Sequence, residues 1–218
     1  MFINVDGFIL SEVDYKESSK ILNILTKEYG VIGVISNGCK KVKSHLRSVS
    51  IKFTYARFYI KYKDGKASTL ISAEIIDVFK NIRNDFTSIC YMSYLSDLTK
   101  QVYNESKESL VFDYFIECIK KLDNNLDPLV LSNILEIKYL TFLGVEIDIS
   151  SLNDIDYLSK KSIELIKVYK DVSINNLSNI IIEKDISEEI NNFIKSYYDD
   201  YTGIYLYKKN YIEKYISV

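Results

Sequence analysis

The sequence predicts an α+β protein, with a five-stranded barrel at the N-terminus packed on a C-terminal domain built entirely of helices. Three observations predict it. Up to about residue 80 the apolar residues come in short extended runs broken by glycine, whereas from Asn84 they recur at helical spacing. The charge changes at the same place: residues 1–80 carry 13 basic and 8 acidic side chains, a net of +5, and residues 81–218 carry 15 and 22, a net of −7. Finally, one proline and no low-complexity linker in 218 residues leave two domains, 1–80 and 81–218, that should pack directly on each other.

Five runs read as strands: Ile3 to Val13, ILNILT at 21–26, VIGVIS at 31–36, FTYARFYIKYK at 53–63 and STLISAEIIDVF at 68–79. Asp64-Gly65 between the last two is a hairpin signal. Five strands in this length suggest an OB-fold. In the second half, Tyr91, Tyr94, Leu95, Leu98 and Val102 form one helical stripe, and Val111, Phe115, Cys118, Ile119 and Leu122 form another. Asp127-Pro128 is an N-cap with proline in the first turn, and the run VLSNILEIKYLTFLG, apolar nearly all round, predicts a central helix ended by Gly144. Ser187, followed by Glu188 and Glu189, is expected to open a last long helix that Gly203 closes, and 150–180 is expected to be helical.

With 47% apolar residues the chain can bury a core, so a disordered protein is excluded. No apolar run is long enough to span a bilayer, and the first residues lack a secretory leader, so an intracellular, cytoplasmic and nucleoid-associated protein without membrane attachment is expected. Cys39, Cys90 and Cys118 are few, far apart and accompanied by a single histidine, His45. That set builds neither a disulfide framework nor a closed zinc site, and Cys90 and Cys118 read as small buried hydrophobes.

The strongest functional signal is cationic. Lys40, Lys41, Lys43 and Arg47 fall within eight residues uninterrupted by an acid, in the connection between the third and fourth strands. Lysines on a turn suit backbone phosphates, although they also serve simply to solvate a loop. The next strand carries the same signal. Alternation puts Phe53, Tyr55, Arg57, Tyr59, Lys61 and Lys63 on one face and Thr54, Ala56, Phe58, Ile60 and Tyr62 on the other. Rings interleaved with cations make a platform for stacked bases and a held backbone, as in single-strand binders. With Lys52 included, residues 36–66 hold nine basic side chains against one acidic, Asp64. The expected DNA-binding residues are therefore Lys40, Lys41, Lys43, Arg47, Lys52, Tyr55, Arg57, Tyr59, Lys61 and Lys63.

Signals for catalysis are thin. Ser44 and His45 are neighbours, but adjacent side chains diverge and no carboxylate is placed to orient the imidazole. No G-x-x-x-x-G-K-[ST] occurs, and Asp148, Asp154 and Asp156 read as loop residues, so no catalytic residue, metal or cofactor is assigned. A scaffold that uses the barrel to dock an acidic partner is the alternative to DNA binding.

Several short pieces occur in a telling order: Glu17-Ser18-Ser19-Lys20-Ile21, Thr26 and Gly30, a glycine followed by the basic cluster with Lys43-Ser44-His45-Leu46-Arg47, AEIIDVF, IRNDF and YLTFLGVEIDI. In this order and spacing, from about residue 8 to 147 with an echo at 187–213, the chain resembles the RecO family of bacterial recombination mediators. The resemblance implies an N-terminal OB-fold joined to helices, a role in RecF-pathway repair, binding of single- and double-stranded DNA, strand annealing, and RecA loading with RecR and the C-terminal tail of single-strand-DNA-binding protein. Many family members carry a four-cysteine zinc module after the central helix, where this chain has ISSLNDIDYLSKKS and no cysteine. The family's Lys-Gly at the head of the basic cluster is Asn37-Gly38 here, and its terminal Lys-Ser is Lys208-Lys209.

Overall fold

Alternating burial along five strands closes the first part of the chain on itself. The structure, a computed structural model, describes residues 1–178 and 182–215. It divides into two compact units, Met1–Phe79 and Lys80–Val218. In the first, β1 (Phe2–Tyr15), β2 (Ser19–Thr26), β3 (Gly30–Ser36), β4 (Tyr55–Lys61) and β5 (Ser68–Asp77) form a closed barrel in the order β1-β2-β3-β5-β4. β1 is long enough to serve two neighbours: Phe2 to Phe8 pair with β4, and Gly7 to Tyr15 pair with β2 across a register shift between Ile9 and Ser11. An irregularity of this kind lets one strand bend round a barrel corner. All neighbours are antiparallel except β3 and β5, which pair in parallel through just Val34↔Ser68 and Ile35↔Thr69.

The inward residues of these strands, among them Ile9, Leu22, Ile24, Val34, Phe58 and Ile60, make the core, and the β3–β4 connection adds Cys39, Leu46 and Val49 to it. β4 alternates as its sequence demands, with Ala56, Phe58 and Ile60 inside and Arg57, Tyr59 and Lys61 outside. Phe53 departs from the expected outward face. The strand starts only at Tyr55, Phe53 has φ 67°, and its N–H donates to the Ile9 carbonyl at 2.9 Å, which turns the ring inward against Phe8 with centroids 6.0 Å apart.

In the second unit, α1 (Lys80–Asn84) and α2 (Phe86–Ser106) are followed by α3 (Leu110–Asp123), α4 (Pro128–Phe142), α5 (Lys160–Asp171), α6 (Lys184–Tyr201) and α7 (Tyr207–Tyr215). Both expected stripes, on α2 and α3, are buried. Asp127 caps α4 by accepting from the Val130 N–H at 2.8 Å, and Gly144 follows its end at φ 73°. Ten of the fifteen α4 residues are buried because α2, α3, α5 and α6 all pack against it. Between 150 and 178 the chain is helical in pieces, with 3₁₀ turns at Ile149–Asp154 and Ile174–Asn176 flanking α5; residues 179 and 180 of the expected segment lie outside those described. The last long helix starts a turn earlier than expected. Ser187 is not its cap but a buried residue whose N–H donates to the Glu183 carbonyl at 3.1 Å. Cys118 is buried, whereas Cys90 is partly exposed.

One polar cluster interrupts the helical core. Glu136 of α4 and Lys209 of α7 are fully buried; the ammonium lies 2.6 and 2.7 Å from the two carboxylate oxygens and donates to Asn133 Oδ1 at 2.8 Å. The Tyr94 hydroxyl donates to the same carboxylate at 2.6 Å, and the Tyr198 hydroxyl to the Glu136 carbonyl at 2.9 Å. Buried charges are tolerated when paired and hydrogen-bonded in this way.

Two stability predictions follow from this packing. A Cβ on Gly7 would lie 2.6 Å from Ile24 Cγ2 and 3.1 Å from the Leu25 carbonyl oxygen, both in the barrel wall. Gly7→Ala should therefore cost about 1–3 kcal/mol in denaturant unfolding. Lys209→Met strands the Glu136 carboxylate and should cost about 3–5 kcal/mol, with part of the loss restored in the Glu136→Gln/Lys209→Met double variant.

Candidate nucleic-acid interface

The cationic connection between β3 and β4 is shaped by the apolar residues within it. Cys39, Leu46 and Val49 are drawn into the barrel, so the residues between them are pushed outward. At its start the Gly38 N–H donates to Ser19 Oγ at 3.1 Å and the Lys40 N–H to the Ser18 carbonyl at 3.0 Å, mooring it to the β1–β2 hairpin. At its end Ser36 and Ser50 share a hydroxyl hydrogen bond of 2.8 Å, and the Lys52 N–H donates to Glu12 Oε2 at 2.9 Å. Between these moorings, Lys41, Ser44 and Arg47 each donate a backbone N–H to the residue three before, at 3.1, 3.0 and 3.2 Å. Gly38 opens the series at φ 67°, a conformation that glycine adopts without strain.

The expected residues divide by their partners. Lys41, Lys43 and Arg47 are exposed, and no acidic residue among the described ones pairs with them. Lys40 instead binds Asp14 at 2.7 Å and holds that carboxyl below its usual range. Lys52 is half-buried with its ammonium 4.3 Å from the centre of the Phe53 ring. On β4, Tyr55, Arg57, Tyr59 and Lys61 do share the outer face, bordered by Phe2, Asn4 and Asp6 of β1 and by Ser72, Glu74 and Asp77 of β5. Arg57 is engaged there: its Nε and Nη2 donate to the two Asp6 carboxylate oxygens at 2.7 and 3.1 Å, a bond that raises its already high pKa. Lys61 is exposed at the strand end, and Lys63 is exposed beyond it, in the hairpin before β5.

Sequence reasoning missed Phe2. Its ring stacks on Tyr59 with centroids 5.6 Å apart and planes 14° from parallel, and both rings are open to solvent. The available signal was the phase of β1, in which Phe2 alternates with the inward Ile3 and Val5. β5 borders both cationic groups: it pairs with β4 along its length, and its Ile71 carbonyl lies 3.4 Å from His45 Nε2 in the connection. His45 thus faces backbone, and Ser44 Oγ accepts from the Leu46 N–H at 3.3 Å, so the two neighbours point to different partners.

In the second unit, the cysteine-free stretch 149–162 forms the 3₁₀ turn Ile149–Asp154 and the start of α5, capped by Asp148 and Ser159. Among the described residues no group of three or more His, Cys, Asp or Glu could hold a metal ion, and no helix is long and apolar enough to cross a membrane.

Comparison with known proteins gives a consistent result. A family model described as recombination protein O N terminal matches residues 1–79, and one described as recombination protein O C terminal matches residues 83–153. Similar relatives include the DNA repair protein RecO of Halalkalibacterium halodurans, 28% identical over 98% of this chain and 95% of its own length. The DNA repair protein RecO of Bacillus subtilis is 26% identical with the same coverage, and that of Listeria monocytogenes serovar 1/2a is 26% identical over 96% of this chain and 93% of its own.

The pairing of Arg57 leads to a prediction. Asp6→Asn removes one carboxylate's negative charge from beside the β4 face, and because the pair is largely exposed the fold should be little affected. The variant should bind a single-stranded oligonucleotide about 2–5-fold more tightly at low salt, as read by fluorescence anisotropy, with the gain shrinking as salt rises.

Proposed function

Since this chain belongs to the RecO family of DNA repair proteins, we propose that it is a non-catalytic mediator of RecF-pathway recombination that binds single- and double-stranded DNA and promotes strand annealing and RecA loading. The observation that carries this reading is the set of exposed cations without acidic partners among the described residues, Lys41, Lys43, Arg47, Lys61 and Lys63, together with the open Phe2–Tyr59 stack. Lysine and arginine displace condensed counterions from phosphates, which gives affinity with little sequence preference. Rings add sequence-tolerant stacking.

Annealing by such a surface needs no bond chemistry. Cations that neutralise one strand's phosphates reduce the repulsion met by a complementary strand, while base pairing supplies the selectivity. Lys40 and Arg57 enter this scheme as exchangeable cations, since a phosphate can replace Asp14 or Asp6 as partner. RecR and the acidic tail of single-strand-DNA-binding protein are the protein partners in this reading, the tail requiring an apolar pocket edged by lysine or arginine.

The test is the salt dependence of binding. In the triple variant Lys41→Glu/Lys43→Glu/Arg47→Glu the slope of log affinity against log salt for a single-stranded oligonucleotide should fall by about 2, at roughly 0.7 per phosphate contact. A folded variant with unchanged slope and affinity would remove this loop from the DNA site. Binding of an acidic protein with no measurable affinity for DNA would favour the scaffold reading.

A further inference from the structure

A cavity of about 330 Å³ opens in the helical unit between one face of α6 and the segment 147–157. On α6, Phe193, Tyr197 and Tyr201 follow at intervals of four, their ring centroids separated by 5.6 and then 4.5 Å, so they form a staircase along the cavity wall. The Tyr197 hydroxyl donates to the Glu146 carbonyl at 3.1 Å, which fixes the middle step. Tyr157 lines the cavity from the other side. Tyr157 is 55% exposed and Tyr201 61% exposed, so these rings face solvent rather than fill a core. Ile155, partly exposed, and the buried Leu152 give the cavity an apolar floor.

The charge of the cavity has one sign. Asp200 is the one charged residue that lines it, and no lysine or arginine among the described residues pairs with that carboxylate. Asp200 also lies close enough to Tyr157 that its charge, after burial, helps push the phenol's pKa up. Ring faces carry negative electrostatic potential and attract cations, and a carboxylate at the end of the same wall adds to that attraction. An acidic ligand would meet repulsion from both.

We propose that this groove docks a cationic segment of a protein partner, with an arginine or lysine side chain between Tyr157 and Tyr201 directed at Asp200 and a neighbouring apolar side chain on Ile155. The apolar floor selects a peptide over a free polyamine, which has no side chain to place there. Arginine fits best, because its planar guanidinium stacks on a ring while its edge donates to a carboxylate. The site is chemically opposite to the basic surface of the barrel and is independent of the DNA-binding reading.

The test titrates the full chain with acetyl-Leu-Arg-Leu-Arg-Leu-amide and with its charge-reversed counterpart, acetyl-Leu-Asp-Leu-Asp-Leu-amide, by calorimetry or by NMR of labelled tyrosine. Saturable binding is expected for the arginine peptide alone. Asp200→Asn and Tyr201→Ala, each verified by an unchanged melting curve, should each weaken it about fivefold. If Tyr201→Ala fails to fold, Asp200→Asn and the charge-reversed peptide still decide the matter. Absence of saturable binding, equal binding of the aspartate peptide, or an undiminished affinity in Asp200→Asn overturns the proposal. Spermidine binding as tightly as the arginine peptide overturns a protein segment as the occupant.

Discussion

The barrel depends on how its weakest seam is closed. β3 and β5 meet through two residue pairs, far fewer than any other neighbours in the sheet, and hydrogen bonding alone gives that junction little strength. Cys39, Leu46 and Val49 of the β3–β4 connection compensate by entering the core. Their burial removes apolar surface from water and anchors a segment with no regular secondary structure. The same burial decides which side chains face outward. Lys41, Lys43 and Arg47 lie exposed between the buried Cys39, Leu46 and Val49, so the core's apolar anchors and the cationic surface come from one stretch of sequence.

Electrostatics then sorts the cations. Composition counts charges, whereas the structure counts unpaired ones, and the two differ at Lys40 and Arg57. Both belong to the cationic region of the sequence, yet Asp14 and Asp6 of β1 pair with them. The Arg57 pair is bidentate and cross-strand, in a register where Asp6 stands directly opposite. Pairs this exposed add little to stability. Their effect is on the local field, which Asp6 lowers over β4 and Asp14 lowers at the start of the connection, while Lys41, Lys43 and Arg47 have no acidic partner among the described residues.

Much of the architecture was legible in the sequence because it rests on local periodicity. Alternation found all five strands within a few residues of their ends, and helical stripes found α2 and α3. Asp127, Pro128 and Gly144 marked α4 because capping is a short-range matter of hydrogen bonds and permitted φ. What was illegible is long-range. Nothing near Arg57 in sequence announces Asp6, and the inward turn of Phe53 depends on an Ile9 carbonyl. Ser187 was misread as a cap because its acidic neighbours imitate a first turn, while the true start, at Glu183 and Lys184, has no short capping side chain. Nothing near Glu136 and Asn133 in sequence announces their partner Lys209, which lies more than seventy positions away.

The joining of Glu136 to Lys209 bears on how the polypeptide acquires its shape during synthesis. The barrel has every strand it needs once residue 77 has emerged from the ribosome, and it can fold as a unit while translation continues. The helices have no such freedom. Their central carboxylate has no ammonium to neutralise it until residue 209 has been made, so until then α4 must keep Glu136 hydrated or protonated. The helical core therefore cannot complete its packing around α4 before residue 209 is available to it.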